Sequence, residues 1–296
     1  MPSRRQIREG VIQYLYAEGP DGIPARAEDA ASLALLLEPL RQKVVLARAR
    51  IMVHVQQGRS AIATALQPLA DELTKMPAPA RRELQALADL VTAEQDLAVH
   101  LDAIQRELHG NKNPAALATL LDDVCDANRT GASAASRLES TVPEFPGPEK
   151  LRTEALAIAS ALPPFRQRCH EALAGDPPPH PDFKGVRRAL EAVTALRNGI
   201  EERVEALAPH LAALDERIAA AVENYSPERL DRVDRAILRL ATHEILHDDE
   251  VPTPVAIDEA IELARRFGTT GSPSFVNGVL DRIRKAAASS QSEANL

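Results

Sequence analysis

The closing third of the chain is divided into short segments by proline and glycine at positions that start and stop helices. Ser226-Pro227-Glu228, Thr253-Pro254 and Ser272-Pro273 each place a capping side chain before a proline, and Gly268 stands where a helix would end. Between these signals apolar residues recur at helical spacing. The positions expected to face a core are Leu230, Val233, Ile237, Leu240 and Ile245, followed by Val276, Val279, Leu280 and Ile283. The pattern predicts a bundle of short helices and hence an all-α fold.

The composition supports helices and limits the kind of partner. Tryptophan is absent and aromatic residues make up only 3% of the 296 residues, which disfavours a sheet built from aromatic side chains. The formal net charge of −8 has the wrong sign for a protein that coats nucleic acid, so any contact with RNA must be a local basic patch. Two cysteines, no secretory signal and no apolar run of membrane-spanning length favour a cytoplasmic protein without a membrane contact.

The start of the chain predicts one further helix, over residues 3–17. Ser3 is a suitable cap, Ile7, Val11 and Leu15 form an apolar stripe, and the turn at Gly19-Pro20 ends the helix. Residues 19–185 then show aliphatic, Ala-rich and Leu-rich segments that predict more helices. The proline-rich segment 175–183 is interpreted as a hinge, with the core resuming near residue 186.

Four segments carry a resemblance to a known family: SRRQIREGVIQYLYAEG near the start, and LRLATHEIL, PVAIDEAIELARRFG and FVNGVLDRI near the end. In order and spacing they resemble the NusB family of bacterial transcription antitermination factors. The resemblance implies a discontinuous NusB-like RNA-binding core made of residues 1–18 and 186–286, followed by a flexible tail, 287–296. It also marks residues 19–185 as a large helical insertion of unknown role, which the family lacks.

The resemblance implies an RNA site at the two ends of the core. Arg4, Arg5 and Arg8 match the arginine-rich start with which the family binds boxA-type single-stranded RNA, and guanidinium groups suit phosphates and bases. Phe275 and Asn277 match positions close to the RNA path. Two plainer interpretations stay open, a solvated helix terminus for the arginines and core packing for Phe275. Gly278, in mid-helix, predicts the close approach of another helix.

A second set of residues is expected to bind a protein. By resemblance, Tyr16, Asp234 and Arg239 match positions where the family contacts a small-subunit ribosomal protein, NusE, within the transcription elongation complex. Taken alone, Asp234 would more often be a solvated surface charge. Whether the insertion covers this face, and whether the protein forms a homodimer, stays open.

His243-Glu244-Ile245-Leu246-His247 satisfies the H-E-x-x-H pattern of zinc proteases, in which two histidines bind the metal and the glutamate acts as a base. The segment lies inside LRLATHEIL, and prolines follow within a few residues, so we expect neither zinc nor another cofactor, and no enzymatic activity. The alternatives are a helical interaction scaffold that binds no RNA, a zinc hydrolase, and the NusB-like domain of an rRNA cytosine methyltransferase. No Rossmann-type segment supports the last of these.

Overall fold

The structure, a computed structural model, describes residues 2–18, 31–77, 84–141, 149–222 and 230–294. Within these ranges every regular element is helical and no strand occurs, which confirms the predicted all-α class. The α-helices are α1 (Arg4–Glu18), α2 (Ala31–Lys75), α3 (Gln85–His109), α4 (Pro114–Thr141), α5 (Glu149–Ala161), α6 (Pro163–Leu173), α7 (Lys184–Leu207), α8 (Leu211–Ala221), α9 (Arg232–His247), α10 (Thr253–Phe267) and α11 (Ser272–Ala294). Short 3-10 turns span Pro181–Phe183 and Ala208–His210. None of the described helices is long and apolar enough to cross a membrane.

The chain forms two compact units. The first comprises Met1–Pro39 and Glu191–Leu296, and the second comprises Leu40–Leu190. The predicted discontinuous core and insertion follow the same order along the chain, with different bounds. The proline-rich segment expected to act as a hinge ends at Phe183, which is buried in a core of the second unit together with Val186.

The first unit is a bundle in which α1 packs on α9, and α9 in turn packs on α10 and α11. Val11 and Leu15 are buried, Ile7 is partly buried, and all three belong to the same apolar core as Val276 and Leu280. The stripe on α1 therefore pairs with helices from the far end of the chain, as the family resemblance implies. All four residues expected to face inward on α11 are buried: Val276, Val279, Leu280 and Ile283.

The predicted helix start at Thr253-Pro254 is confirmed, because α10 begins at Thr253, whereas the one at Ser226-Pro227 lies outside the described residues. Helix α9 begins at Arg232, where the Asp231 carboxylate accepts a hydrogen bond of 2.8 Å from the amide of Val233. The residue at the cap position of α10 is Pro252, without a side-chain hydrogen bond. Gly268 does end α10, with its amide donating to the Ala264 carbonyl at 3.0 Å.

The prediction about Gly278 in α11 is wrong. Gly278 is exposed, and an added Cβ would meet no atom within 4 Å, so none of the other described helices approaches it closely. The helix also continues to Ala294, through most of the segment 287–296 that was expected to fray. Alanine, which recurs in this segment, has the highest helix propensity and explains the extension.

The second unit contains two apolar clusters and one buried charged network. Both oxygens of the Glu94 carboxylate, on α3, accept hydrogen bonds from arginines, one from Arg59 of α2 and one from Arg166 of α6. Arg166 also donates to the Asn128 carbonyl at 3.1 Å. A Cβ at Gly131, on α4, would lie 2.4 Å from a terminal nitrogen of Arg166. The network therefore ties four helices together and leaves two buried cations on one carboxylate.

Candidate functional site

The first turn of α1 is closed by a reciprocal pair of hydrogen bonds. The Gln6 amide donates to the Ser3 hydroxyl at 3.2 Å, and the Ser3 amide donates to the Gln6 side-chain carbonyl at 2.8 Å. This is a capping box, in which two amides that a helix start leaves unsatisfied bind side chains. The predicted cap at Ser3 is confirmed. Gln6 thus has a structural use in this box.

Arg4 and Arg5 lie at the surface beside this box. The Arg5 guanidinium donates two hydrogen bonds to the carboxylate of Glu259 on α10, from Nε at 2.9 Å and from Nη2 at 2.8 Å. Hydrogen bonding to Arg5 lowers the pKa of Glu259. Arg4 is exposed and has no ion pair within the described part of the chain. The N-terminal end of α1 thus carries one guanidinium that is paired with a carboxylate, that of Arg5, and one that is not, that of Arg4.

Arg8, one turn further along, has a different environment from the other two. Only 4% of it is exposed, and its Nε donates to both oxygens of Glu244 on α9, at 2.8 and 3.1 Å. Arg203 of α7 approaches the same carboxylate at 3.4 Å. Burial raises the pKa of Glu244, while the hydrogen bond from Arg8 acts in the opposite direction. The expectation that Arg8 contacts RNA is at odds with this burial, because its charge is already used in joining α1 to α9.

Two arginines that the sequence reasoning did not single out lie next to Arg5. Arg265 and Arg266, in the last turn of α10, form ion pairs with Glu262 and Glu9. With Arg5, these residues and Leu263 line a surface cavity of about 180 Å³. The signal that could have found them is the pair of arginines in ELARRFG, at a helix end where basic residues also offset the helix dipole.

We call Arg4, Arg5, Arg265 and Arg266 the arginine corner. Its four guanidinium groups stand against three carboxylates, those of Glu9, Glu259 and Glu262, so the corner keeps one net positive charge on an acidic protein. Both α10 arginines are mostly exposed. An exposed, salt-screened pair of this kind contributes little to stability, so an incoming phosphate can replace the carboxylate at small cost.

Phe275 and Asn277 lie in the first turns of α11. Phe275 is partly buried and packs against the core of the first unit, whereas Asn277 is exposed. The core-packing alternative left open for Phe275 is therefore what the structure shows, with part of the ring still at the surface. Arg5 binds a carboxylate of α10 and Arg8 binds one of α9, whereas Phe275 and Asn277 belong to α11. The predicted RNA-binding residues therefore do not form a single cluster of side chains.

Of the three residues expected to bind a protein partner, Tyr16 alone is at the surface, with 49% exposed. Asp234 is 7% exposed and accepts a hydrogen bond of 3.0 Å from the Ser272 hydroxyl. Burial raises the pKa of this carboxyl. Arg239 is 4% exposed and donates two hydrogen bonds to Asp215, at 2.8 and 2.6 Å. Asp234 and Arg239 thus join α9 to α11 and α8, and neither offers a surface charge.

The H-E-x-x-H segment also has structural partners. Glu244 is held by Arg8, the ring of His243 lies 3.2 Å from the Ala206 carbonyl, and the ring of His247 stacks on His210 with centroids 4.1 Å apart. Burial lowers the pKa of His243 and of His247, which favours neutral rings. A carboxylate bound to an arginine is not placed to activate a water molecule. No group of side chains that could hold a metal ion is found in the ranges that the structure describes.

Comparison with known proteins gives a consistent set of relatives. A family model described as the NusB family matches residues 187–285. The transcription antitermination protein NusB of Arthrobacter sp. (strain FB24) is 39% identical over 114 residues, covering 35% of this chain and 84% of that protein. The protein of the same name from Geobacillus kaustophilus is 45% identical over 87 residues, covering 29% and 67%. A solved structure of T. maritima NusB is 39% identical, covers 34% of this chain and 75% of that chain, and has a TM-score of 0.30.

Other relatives are matched over a smaller part of their length. The NusB protein of Pseudothermotoga lettingae is 45% identical over 93 residues, covering 31% of this chain and 66% of that protein. The chain thus spans slightly less than two thirds of this relative. These relatives are named as transcription antitermination proteins and none as an enzyme, in agreement with the expectation drawn from the sequence.

Proposed function

The chain belongs to the NusB family, and we propose that it is an RNA-binding transcription antitermination factor. In this proposal it acts in the cytoplasm with a small-subunit ribosomal protein, NusE, on boxA-type single-stranded RNA of ribosomal RNA operons. The observation that carries the proposal is the arginine corner, an exposed group of guanidiniums with a net positive charge on a protein of formal charge −8.

The chemistry of the corner suits RNA phosphates. Guanidinium groups bind phosphate in the same two-pronged geometry with which Arg5 now binds Glu259. The carboxylates hold the arginines in extended, ordered positions, so less side-chain entropy is lost when phosphate replaces carboxylate. Because each exchange trades one anion for another, the affinity of the corner alone is modest. Arg4, the unpaired member, is the residue from which we expect the largest single contribution.

The remaining predicted RNA residues keep separate roles in this proposal. Arg8 positions the start of α1 on α9 through Glu244 and does not contact RNA. Asn277, with its exposed amide, is suited to a base edge, and the exposed part of Phe275 to the face of a base. On the protein-binding face, Tyr16 is the residue proposed to contact NusE, since an exposed tyrosine ring gives a large contact area at low entropic cost.

The test is a binding titration of the full-length protein with a boxA RNA and with a scrambled RNA of the same composition, over a range of salt concentrations. Arg4→Ala and Arg5→Ala should each weaken boxA binding and lower the salt slope by roughly 0.7, the value for one lost phosphate contact in single-stranded nucleic acid. Arg284→Ala is the matched control, because Arg284 is an exposed arginine of the same unit that is paired with Asp281. Equal affinity for both RNAs, or an unchanged slope in the Arg4→Ala/Arg5→Ala variant, would remove the proposal.

One observation favours a second candidate. Three of the four arginines in the corner already have carboxylate partners, as expected of a helical interaction scaffold that binds no RNA. The same titration separates the two candidates. A scaffold would bind NusE, with a loss of affinity in Tyr16→Ala, but would show no preference for boxA at any salt concentration.

A further inference from the structure

A long stretch of α2 has a composition unlike the rest of this acidic chain. Residues 39–70 contain no aspartate or glutamate, yet they include Arg41, Lys43, Arg48, Arg50 and Arg59. All of these positions lie on one continuous helix. Arg48 and Arg59 are partly or fully buried and donate hydrogen bonds inside the second unit, to the Ala174 carbonyl and to Glu94. Lys43 and Arg50 are exposed and have no such use.

Four of the exposed polar residues of this stretch share one face of the helix. Lys43, Arg50, His54 and Gln57 are separated by seven, four and three residues, spacings that return to the same side of an α-helix. All four side chains are exposed, whereas Ala49, Met52 and Val55, on the other side of the helix, are buried. We call the four residues the α2 stripe. With a rise of about 1.5 Å per residue, the stripe is roughly 21 Å long.

A second basic group stands at the start of α7, where Lys184 and Arg188 are exposed and Arg187 is partly exposed. Residues 183–190 contain no acid either. Val186 is buried in the same apolar cluster as Ala49 and Met52 of α2, so both basic segments are built on one core of the second unit.

These basic residues have no carboxylate partner in the described part of the chain, unlike three of the four arginines of the arginine corner. Within the described ranges no ion pair is formed by Lys43, Arg50, Lys184 or Arg188, whereas Arg5, Arg265 and Arg266 each have one. The charge of the α2 stripe is therefore available to an anion without displacing anything. The ring of His54 is the one aromatic group of the stripe, since residues 17–144 contain no Phe, Tyr or Trp.

We propose that the α2 stripe, together with Lys184 and Arg188, is a second RNA-binding surface, which holds the phosphates of single-stranded RNA without reading its sequence. Phosphate contacts from lysine and arginine supply affinity that does not depend on the bases. Contacts to phosphate carry no sequence information, and the stripe has no Phe, Tyr or Trp on which bases could stack in a row, so we expect no preference among bases. The inference concerns a different unit from the arginine corner and does not depend on boxA recognition.

The experiment uses full-length protein and a fluorescently labelled 20-nucleotide oligouridine, which contains no boxA sequence, at several salt concentrations. The variant Lys43→Gln/Arg50→Gln should lose roughly tenfold in affinity and about 1.4 in salt slope, the effect of two lost phosphate contacts. Adding Lys184→Gln/Arg188→Gln should lower both further. The control Arg129→Gln/Arg137→Gln removes the same charge from exposed arginines of the second unit that are paired with Asp126 and Asp89.

The outcomes separate this proposal from its alternatives. If the control variant loses as much affinity as the stripe variant, only the net charge matters and the proposed surface is wrong. If oligouridine binding is unchanged while binding of a polyglutamate peptide falls, the stripe serves an acidic protein, which also overturns the proposal. The ratio of boxA to oligouridine affinity reports on the first unit, which holds the arginine corner, Phe275 and Asn277. A loss of that ratio in Arg4→Gln/Arg5→Gln, with oligouridine binding retained, would leave both proposals standing.

Discussion

The buried pair between Arg8 and Glu244 makes a prediction that can be worked out from its geometry. Arg8→Met removes a guanidinium that donates to both carboxylate oxygens, and leaves a glutamate that is 2% exposed with a single contact of 3.4 Å to Arg203. Removing one partner of a buried pair costs about 3–5 kcal/mol, because the other charge stays buried without compensation. Since Arg203 remains, we expect a loss near the lower end, about 3 kcal/mol.

The complementary change, Glu244→Leu, leaves the guanidinium of Arg8 buried without its carboxylate and should cost a similar amount. The double variant Arg8→Met/Glu244→Leu leaves neither charge. Well-packed apolar replacements of a buried pair are often neutral, so the double variant should be more stable than either single variant. The coupling free energy in this double-mutant cycle is expected to exceed about 2 kcal/mol, within the range known for residues in direct contact.

The first unit can be followed separately in a urea titration. The chain has no tryptophan, and its three tyrosines are Tyr14, Tyr16 and Tyr225, all of which belong to the first unit. Tyrosine fluorescence therefore reports on that unit. With a slope of about 2 kcal/mol per molar urea, a loss of 3 kcal/mol shifts the midpoint by roughly 1.5 M. Additive single losses in the double variant, or single variants whose midpoints match that of the wild type, would refute the assignment of Arg8 as a residue that joins α1 to α9.

Three further predictions concern the same unit and use the same titration. Gly10→Ala should destabilise the first unit by about 1–3 kcal/mol, because the new Cβ would lie 2.4 Å from the Ile200 Cδ1. Gly278→Ala, with open space around the new Cβ, should stabilise the unit by up to about 1 kcal/mol. Equal effects of the two changes would contradict the packing described. Ser3→Ala should cost about 1 kcal/mol through loss of the capping box, with the exposed Ser274→Ala as a control that leaves the midpoint unchanged. Because burial lowers the pKa of His243, the unfolded chain binds protons at a higher pH than the native one, and stability should fall as the pH drops below the ordinary histidine value of 6.5. The raised pKa values of Asp234 and Glu244 have the opposite effect on stability as the pH falls. The decisive comparison is therefore between the pH dependence of stability in the wild type and in His243→Gln, which should lose less stability in acid. Parallel pH profiles for the two proteins would count against the reasoning.

The sequence predicts well what is determined locally. The cap at Ser3 and the apolar stripe on α1 follow from neighbouring residues, and the structure confirms both. The family resemblance and the helical class are also visible in the sequence, because they depend on motifs and on a period of 3.6 residues. The capping box and the apolar stripe each lie within a few turns of one helix.

The sequence predicts poorly whether a charged residue is exposed. Arg5 and Arg8 occupy almost the same surface of an isolated helix, yet one is exposed and the other is buried. The difference is decided by Glu244, which lies 236 residues further along the chain. The same applies to Asp234, which is buried because α11 covers it and supplies Ser272. No periodicity within one helix contains this information, since it depends on which other helix packs there.

The charged network at the centre of the second unit has a consequence for sequence variation among related chains. Glu94 binds two arginines from different helices, and the space for one of them exists because residue 131 is a glycine. Loss of Glu94 alone would bury two uncompensated cations, and a larger residue at 131 would displace Arg166, so neither change is tolerated by itself. Homologues that carry the second unit should therefore keep Arg59, Glu94, Gly131 and Arg166 together or replace them together with apolar residues. Correlated substitution at these four positions would identify chains that share this unit even where the rest of it has diverged.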